Sequence, residues 1–212
     1  MSRSPIPTLV VMARWPASGR CKRRLAVDIG TERAAIIQQR LTAHTFAVAE
    51  ALTERGDVDL QVAMSGVSLR SAQRSLLCLP PCTLVDQGHG SLGARMLRQI
   101  YRARFGQRNK AVIMIGTDLA DLCQNDLIQA AQTLHSQPLV IGPSADGGYW
   151  LLGLGPGLTR PQLDALFAAV PWGSHKVFDI TCAHARGLGI TPHQLSLKND
   201  IDCLADLGLW QR

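Results

Sequence analysis

Aromatic residues are scarce in this chain, at 5% of 212 residues. A core must therefore be assembled mainly from Leu, Val, Ile and Ala. No apolar run approaches the ~20 residues of a membrane-spanning helix. The opening Met1-Ser2-Arg3-Ser4-Pro5 lacks the apolar centre of a signal peptide. These absences predict a cytoplasmic protein with no membrane span. Cys-x-x-Cys is absent, and no histidine sits at zinc-finger spacing from a cysteine pair. The six cysteines (Cys21, Cys78, Cys82, Cys123, Cys182, Cys203) read as reduced, mostly buried small hydrophobes. A Cys78–Cys82 disulfide across Leu-Pro-Pro is possible but not favoured in the cytosol.

Several chemistries are missing as well. The loop after the first strand is neither a Gly-Lys-Ser/Thr phosphate loop nor a G-x-G-x-x-G fingerprint. There is no G-x-S-x-G and no credible Ser/His/Asp or Cys/His set, so hydrolase readings fall away. No dense Lys/Arg run is interleaved with aromatics, so nucleic acid is not an expected partner.

What is present is a globular composition, 46% hydrophobic and 18% charged. A chain of this length buries about 70% of its unfolded surface and predicts one domain over residues 1–212. The net charge of +6 is unevenly spread. Residues 1–109 carry sixteen Lys/Arg and seven Asp/Glu, whereas residues 110–212 carry six and nine. A basic half joined to an acidic half suits an anionic ligand gripped by Arg and Lys and a divalent cation gripped by carboxylates.

Short apolar runs, continuous at 8–13 and 111–115, predict strands at 8–13, 58–64, 82–85, 111–115, 139–141, 149–152 and 194–197. Helices are predicted at 31–55, 69–77, 91–105, about 125–134, within 161–188 and at 204–210, with 14–29 a loop. Repeated strand-helix units predict an α/β fold: a mostly parallel open sheet, helices on both faces and an antiparallel edge strand. Ligands of such sheets bind at the carboxyl ends of the strands, so the loops there are the candidates for chemistry.

Five candidates stand out. The loop after the first strand places Arg14, Arg20, Lys22, Arg23 and Arg24 within eleven residues, with Gly19 allowing close backbone approach. Clustered cations repel one another, and an anionic partner relieves them. Asp118 follows the clearest strand and can hold Mg²⁺ or Mn²⁺ on a diphosphate; Asp121 can equally cap the next helix. Asp146-Gly147-Gly148-Tyr149 is either a tight turn or an acceptor wall. Asp200 and Asp202 can share a metal or cap a helix. Gln87-Gly-His-Gly90 can admit a base or ribose, or can simply enter a helix capped by Ser91.

Together these segments resemble a family. Met12-Ala-Arg14-x-Pro16-x-x-Gly19-x-x-Lys22-x-Arg24-Leu25 comes first, then Gly90-x-Leu-Gly-x-Arg-Met96 and Ile115-Gly-Thr-Asp118-x-x-Asp121-Leu. Gly142-Pro-x-x-Asp146-Gly-Gly-Tyr-x-Leu-x-Gly153-Leu and Asp200-x-Asp202-x-x-x-Asp206-Leu complete it. The pattern is similar to small bacterial transferases named radical-SAM/selenodomain-associated transferase 1 or arsenosugar biosynthesis glycosyltransferase. These belong with the nucleotide-diphospho-sugar transferases of GT-A type. The resemblance implies a single Rossmann-like GT-A domain and a glycosyltransferase using a nucleotide sugar and Mg²⁺ or Mn²⁺. It implies Asp118 and Asp146 as catalytic, and Arg14, Gly19, Lys22, Arg24, Gln87 and Gly90 as nucleotide-binding. Asp118 with Asp202 would hold the metal, and Gly147, Gly148 and Tyr149 would meet sugar or acceptor. The alternatives are nucleotidyl transfer from a nucleoside triphosphate, or nucleotide binding without catalysis; the oligomeric state stays open.

Overall fold

Side-chain alternation along the first strand, β1 (Thr8–Arg14), divides the interior in two. Leu9, Val11 and Ala13 join one apolar cluster; Val10 joins the other, with Met12 packed against it. Strand β4 (Val112–Ile115) repeats the pattern, with Ile113 and Ile115 on the first side and Val112 and Met114 on the second. Strands with apolar residues on both faces need a helical layer on each. The computed structural model, which describes residues 5–74, 79–106 and 110–209, supplies both.

Helices α2 (Thr31–Glu54), α3 (Leu69–Arg74) and α5 (Gln124–Thr133) cover the first face through Phe46, Leu52, Ala72, Leu127 and Ala130. Helices α4 (Leu92–Ala103), α6 (Arg160–Phe167) and α7 (Val177–Gly187) cover the second through Met96, Ile100, Leu166, Phe167 and Ala185. The remaining strands are β2 (Asp59–Ser65), β3 (Thr83–Asp86), β5 (Leu139–Pro143), β6 (Tyr149–Leu154) and β7 (His193–Gln194). A 3-10 helix, Leu204–Leu209, follows.

The seven strands lie in the order β3-β2-β1-β4-β6-β5-β7. β1 pairs in parallel with β2 and β4, β2 with β3, and β5 with β7. β6 runs antiparallel between β4 and β5. The carboxyl ends of β1 to β4 and the start of β6 therefore share one rim. Among the described residues, no helix is long and apolar enough to cross a membrane.

Two expectations change. Residues 14–29 are not all loop: Arg23–Ile29 forms a helix, α1, whose buried residue is Leu25. A seven-residue helix with one inward side chain leaves no readable period. The final strand is shorter than expected, covering His193–Gln194 rather than 194–197, because pairing with β5 stops after Val140 and Ile141. The end of the helix predicted over 69–77, and Cys78, lie outside the described residues. The other five cysteines are free.

Phe46 is 2% exposed and central to the α2 side of the sheet. Phe46→Ala is expected to destabilise the fold by about 3–5 kcal/mol, through lost burial and the cavity left behind. Urea denaturation reads this directly, and a loss below ~1 kcal/mol would contradict the packing described.

Candidate active site

The loop after β1 turns at Gly19 (φ 72) and delivers Lys22 to the start of α1 in a left-handed conformation, φ 45 and ψ 51. A lysine held there costs about 1–3 kcal/mol of backbone strain. The strain is offset by what the side chain reaches. Lys22 Nζ lies 2.5 Å from Asp118 Oδ1 and 3.1 Å from Asp202 Oδ1, and its side chain is 3% exposed. Burial pushes the ammonium's pKa down, but Asp118 and Asp202 outweigh it and lift it above the ordinary lysine value. Arg24, exposed, stands 4.0 Å from Asp202. Arg14 at the end of β1 donates from Nη1 to the carbonyl of Arg20, at 3.1 Å.

Asp118 follows β4 across Gly116 and Thr117. Gln38 of α2, buried, donates to the Thr117 hydroxyl at 3.1 Å and anchors this turn from below. The final segment returns beside it: Leu119 bridges Asp200, and Ile201 N–H donates to the Asp118 carbonyl at 3.0 Å. Asp206 accepts from the N–H groups of Asp202 and Cys203, fixing the following turn. Asp200 and Asp202 then part company. Asp202 goes to Lys22, whereas Asp200 turns inward and accepts a bond from Ser144 Oγ at 3.2 Å. Burial, then the charges of Asp118 and Asp146, push the Asp200 carboxyl up to about 7; Lys22 and Ser144 pull the other way.

Two cavities meet here. A cleft of about 690 Å³ is lined by Arg14, Lys22, Arg24, Asp118, Asp146 and Asp202. A smaller cavity of about 240 Å³ is bounded by Met96, Met114, Leu92, Tyr149, Asp118 and Asp200. Met12 and Asp118 belong to both, so they form the shared wall.

Eight of the residues singled out by sequence, Arg20 and Arg23 among them, thus surround one cleft, and Asp200 and Tyr149 face the second cavity. The others are placed differently. Gln87 is buried and its amide donates to the carbonyls of Ala13 (3.0 Å) and Ala63 (2.9 Å), tying β1 to β2. Its side-chain oxygen accepts from Arg95 at 3.0 Å. Gly90, φ 106, leads into α4, whose cap is Ser91. At Gly147, φ 86, an added Cβ would stand 2.0 Å from the His175 carbonyl oxygen. That glycine exists for backbone packing against the segment before α7. Gly148 N–H donates to Asp146 Oδ1 at 2.9 Å, completing the turn.

Gln38 escaped sequence reasoning, and Arg95 entered it only as part of the Gly90–Met96 motif, with no role assigned. Gln38 had a signal: it is a polar residue in the Ala34, Leu41, Thr45 stripe of α2. Arg95 had that motif and its place four residues past Ser91. Its pKa is lowered by burial and then by the nearby charges of Arg14 and Arg98.

A divalent cation finds carboxylates at Asp118 and Asp200. Among the described residues, no cluster of three or more His, Cys, Asp or Glu is arranged to hold a metal ion. Mg²⁺ and Mn²⁺ need not have one, since Mg²⁺ commonly takes one or two carboxylates and completes its shell with phosphates and water. Asp118 and Asp200 line one cavity, and a cation there would relieve the repulsion that adds to burial in raising Asp200, so the residues fit a cation assembled with substrate.

A family model described as "Uncharacterized protein conserved in bacteria (DUF2064)" matches residues 47–174. No curated protein matches the chain. Among solved structures, one from Desulfovibrio desulfuricans G20 carries the provisional description of nucleotide-diphospho-sugar transferase. It is 24% identical, with a TM-score of 0.82 over 97% of this chain and 86% of that one. CMP:2-keto-3-deoxy-manno-octonic acid synthetase, solved with CTP, is 12% identical, with a TM-score of 0.56 over 97% and 96%. Glucosyl-3-phosphoglycerate synthase from Mycobacterium tuberculosis, solved with Mn²⁺, UDP and product, is 14% identical, with a TM-score of 0.53 over 97% and 76%. These likenesses show the fold.

The Asp200 environment sets a pH dependence. The folded pKa lies above the unfolded value of 3.8, so the native state holds the proton more tightly. Stability therefore falls as pH rises from about 4 to 7, and the cost is complete above 7. With chelator present, Asp200→Asn is expected to stabilise the protein at pH 8 by about 2–4 kcal/mol. At pH 4 it should change little. Urea denaturation at both pH values checks this, and a loss of stability at pH 8 would refute it.

Proposed function

This chain belongs to the DUF2064 family, and from its rim geometry we propose that it is a transferase taking a nucleotide-diphospho-sugar donor with Mg²⁺ or Mn²⁺. The observation that carries the reading is the contact of Lys22 with Asp118: the basic loop and the acidic segment meet at a single point on the strand ends. Residues 1–212 act as one domain in this reading, with the donor in the basic cleft and the acceptor beyond the Asp118 wall.

The chemistry follows from charge. An acceptor hydroxyl oxygen attacks the anomeric carbon of the sugar. The bond from that carbon to the diphosphate oxygen breaks, and its electron pair leaves with the nucleoside diphosphate. Arg14, Lys22 and Arg24 are placed to stabilise that growing negative charge. Asp146 is exposed, with one oxygen held by Gly148 N–H, and its other oxygen takes the acceptor's proton. A divalent ion held by Asp118 and Asp200 would supply further neutralisation of the diphosphate oxygens. Asp202 serves instead to orient Lys22.

The five cations between Arg14 and Arg24 also suit a triphosphate, which supports nucleotidyl transfer as a second reading. There, an acceptor phosphate oxygen attacks the α-phosphate and pyrophosphate leaves. Incubation with labelled nucleotide sugars and with nucleoside triphosphates, each with Mg²⁺ or Mn²⁺, separates the two. Nucleoside diphosphate release is the expected result; pyrophosphate release would establish the second reading, and neither product would leave a binding protein.

Asp118→Ala is expected to abolish the metal dependence of nucleoside diphosphate binding. Lys22→Met should weaken that binding by about 10- to 100-fold, the worth of one charge-assisted contact. Calorimetric titration measures both, and unchanged affinities would make the two residues a purely structural pair.

A further inference from the structure

The smaller cavity differs in chemistry from the cleft beside it. Its walls include three thioethers, Met12, Met96 and Met114, with Leu92, Ile115 and Tyr149. Its charged groups are Asp118 and Asp200, both acidic. Among the described residues no lysine or arginine lines it, whereas Arg14, Arg20, Lys22, Arg23 and Arg24 all line the neighbouring cleft. Cations are thus segregated to one side of the Asp118 wall.

That segregation restricts what can enter. A phosphate or carboxylate placed among the methionines would lose its hydration and meet no lysine or arginine among the residues that line the cavity. Burying an unpaired anion is strongly unfavourable. An uncharged carbon skeleton loses nothing there, and flexible, polarisable thioethers pack well around flat or irregular apolar groups. Size restricts the ligand further. About 240 Å³ is less than the ~300–1,000 Å³ of drug-sized sites.

Resting on the acceptor side of the reading above, we infer that the acceptor is a compact, uncharged alcohol with an apolar or aromatic skeleton, not a phosphorylated or carboxylated molecule. Its hydroxyl lies at the shared Asp118 wall, on the side of Asp146. There it is presented to the donor's anomeric carbon, and its carbon skeleton fills the methionine cavity. The polar burden of recognition falls on the donor, and shape alone selects the acceptor.

The methionine methyl groups report on this in the intact protein. Carbon-13 methyl-methionine NMR, assigned with single Met→Leu variants, follows Met96 and Met114, which line only the apolar cavity. Met64 is fully buried in the cluster on the other face of the sheet and serves as an internal control. The probes are benzyl alcohol, glycerol 3-phosphate and UDP with Mg²⁺. Benzyl alcohol is expected to shift Met96 and Met114 at a concentration at least about tenfold below that needed by glycerol 3-phosphate, leaving Met64 still. Equal or stronger shifts from glycerol 3-phosphate would overturn the inference, as would no response to benzyl alcohol. Shifts of Met96 and Met114 by UDP would assign the cavity to the nucleotide and overturn it too. The donor reading is tested separately by Lys22→Met titration, so failure of one is distinguishable from failure of the other.

Discussion

A single ammonium group organises this rim. Lys22 carries its charge out of solvent and stands between Asp118 and Asp202, one following β4 and the other ending the chain's last irregular segment. Three stretches far apart in sequence thereby converge. A buried cation is tolerable only when its partners are close and well placed. The left-handed backbone at Lys22 is the local cost of that placement. With the lysine so held, Asp202 is committed and Asp118 is left half exposed on a wall between two cavities of opposite character.

The division of labour across that wall is electrostatic. The loop after β1 concentrates positive charge where a diphosphate could lie, and the segments after β4 and β5 bring Asp118 and Asp146 to its edge. Asp200 sits deeper, its charge opposed by burial and by its acidic neighbours. Under the proposed function a cation and a polyphosphate share this rim, each relieving the repulsion that the other's binding groups suffer alone. Gln38 beneath Thr117 and Gln87 across β1 and β2 keep the platform rigid.

Much of this was legible in the sequence, for physical reasons. Continuous apolar runs such as Ala111–Ile115 read as buried strands because both faces are covered, and alternation within them assigns each side chain to a layer. Lys22 and Asp118 were legible because they follow strands and gather unpaired charge. α1 was hidden because its seven residues bury only Leu25. Asp200 and Asp202 looked equivalent because sequence spacing does not say that one bonds Ser144 and the other Lys22. Gly147 looked like a ligand-facing glycine, but the tight approach belongs to the backbone at His175. Gln87 reads as available for a base, but its amide is bonded to the carbonyls of Ala13 and Ala63. In each case tertiary contact, not local pattern, decides the role.

The central claim is that basic loop and carboxylates meet around a polyphosphate at one rim. Its most direct test is phosphorus-31 relaxation of a bound nucleoside diphosphate in the presence of Mn²⁺. The account predicts strong paramagnetic broadening of both phosphorus signals in the wild-type protein and its loss in Asp118→Asn. Tight nucleotide binding with no Mn²⁺-dependent broadening would place the phosphates away from Asp118 and contradict it.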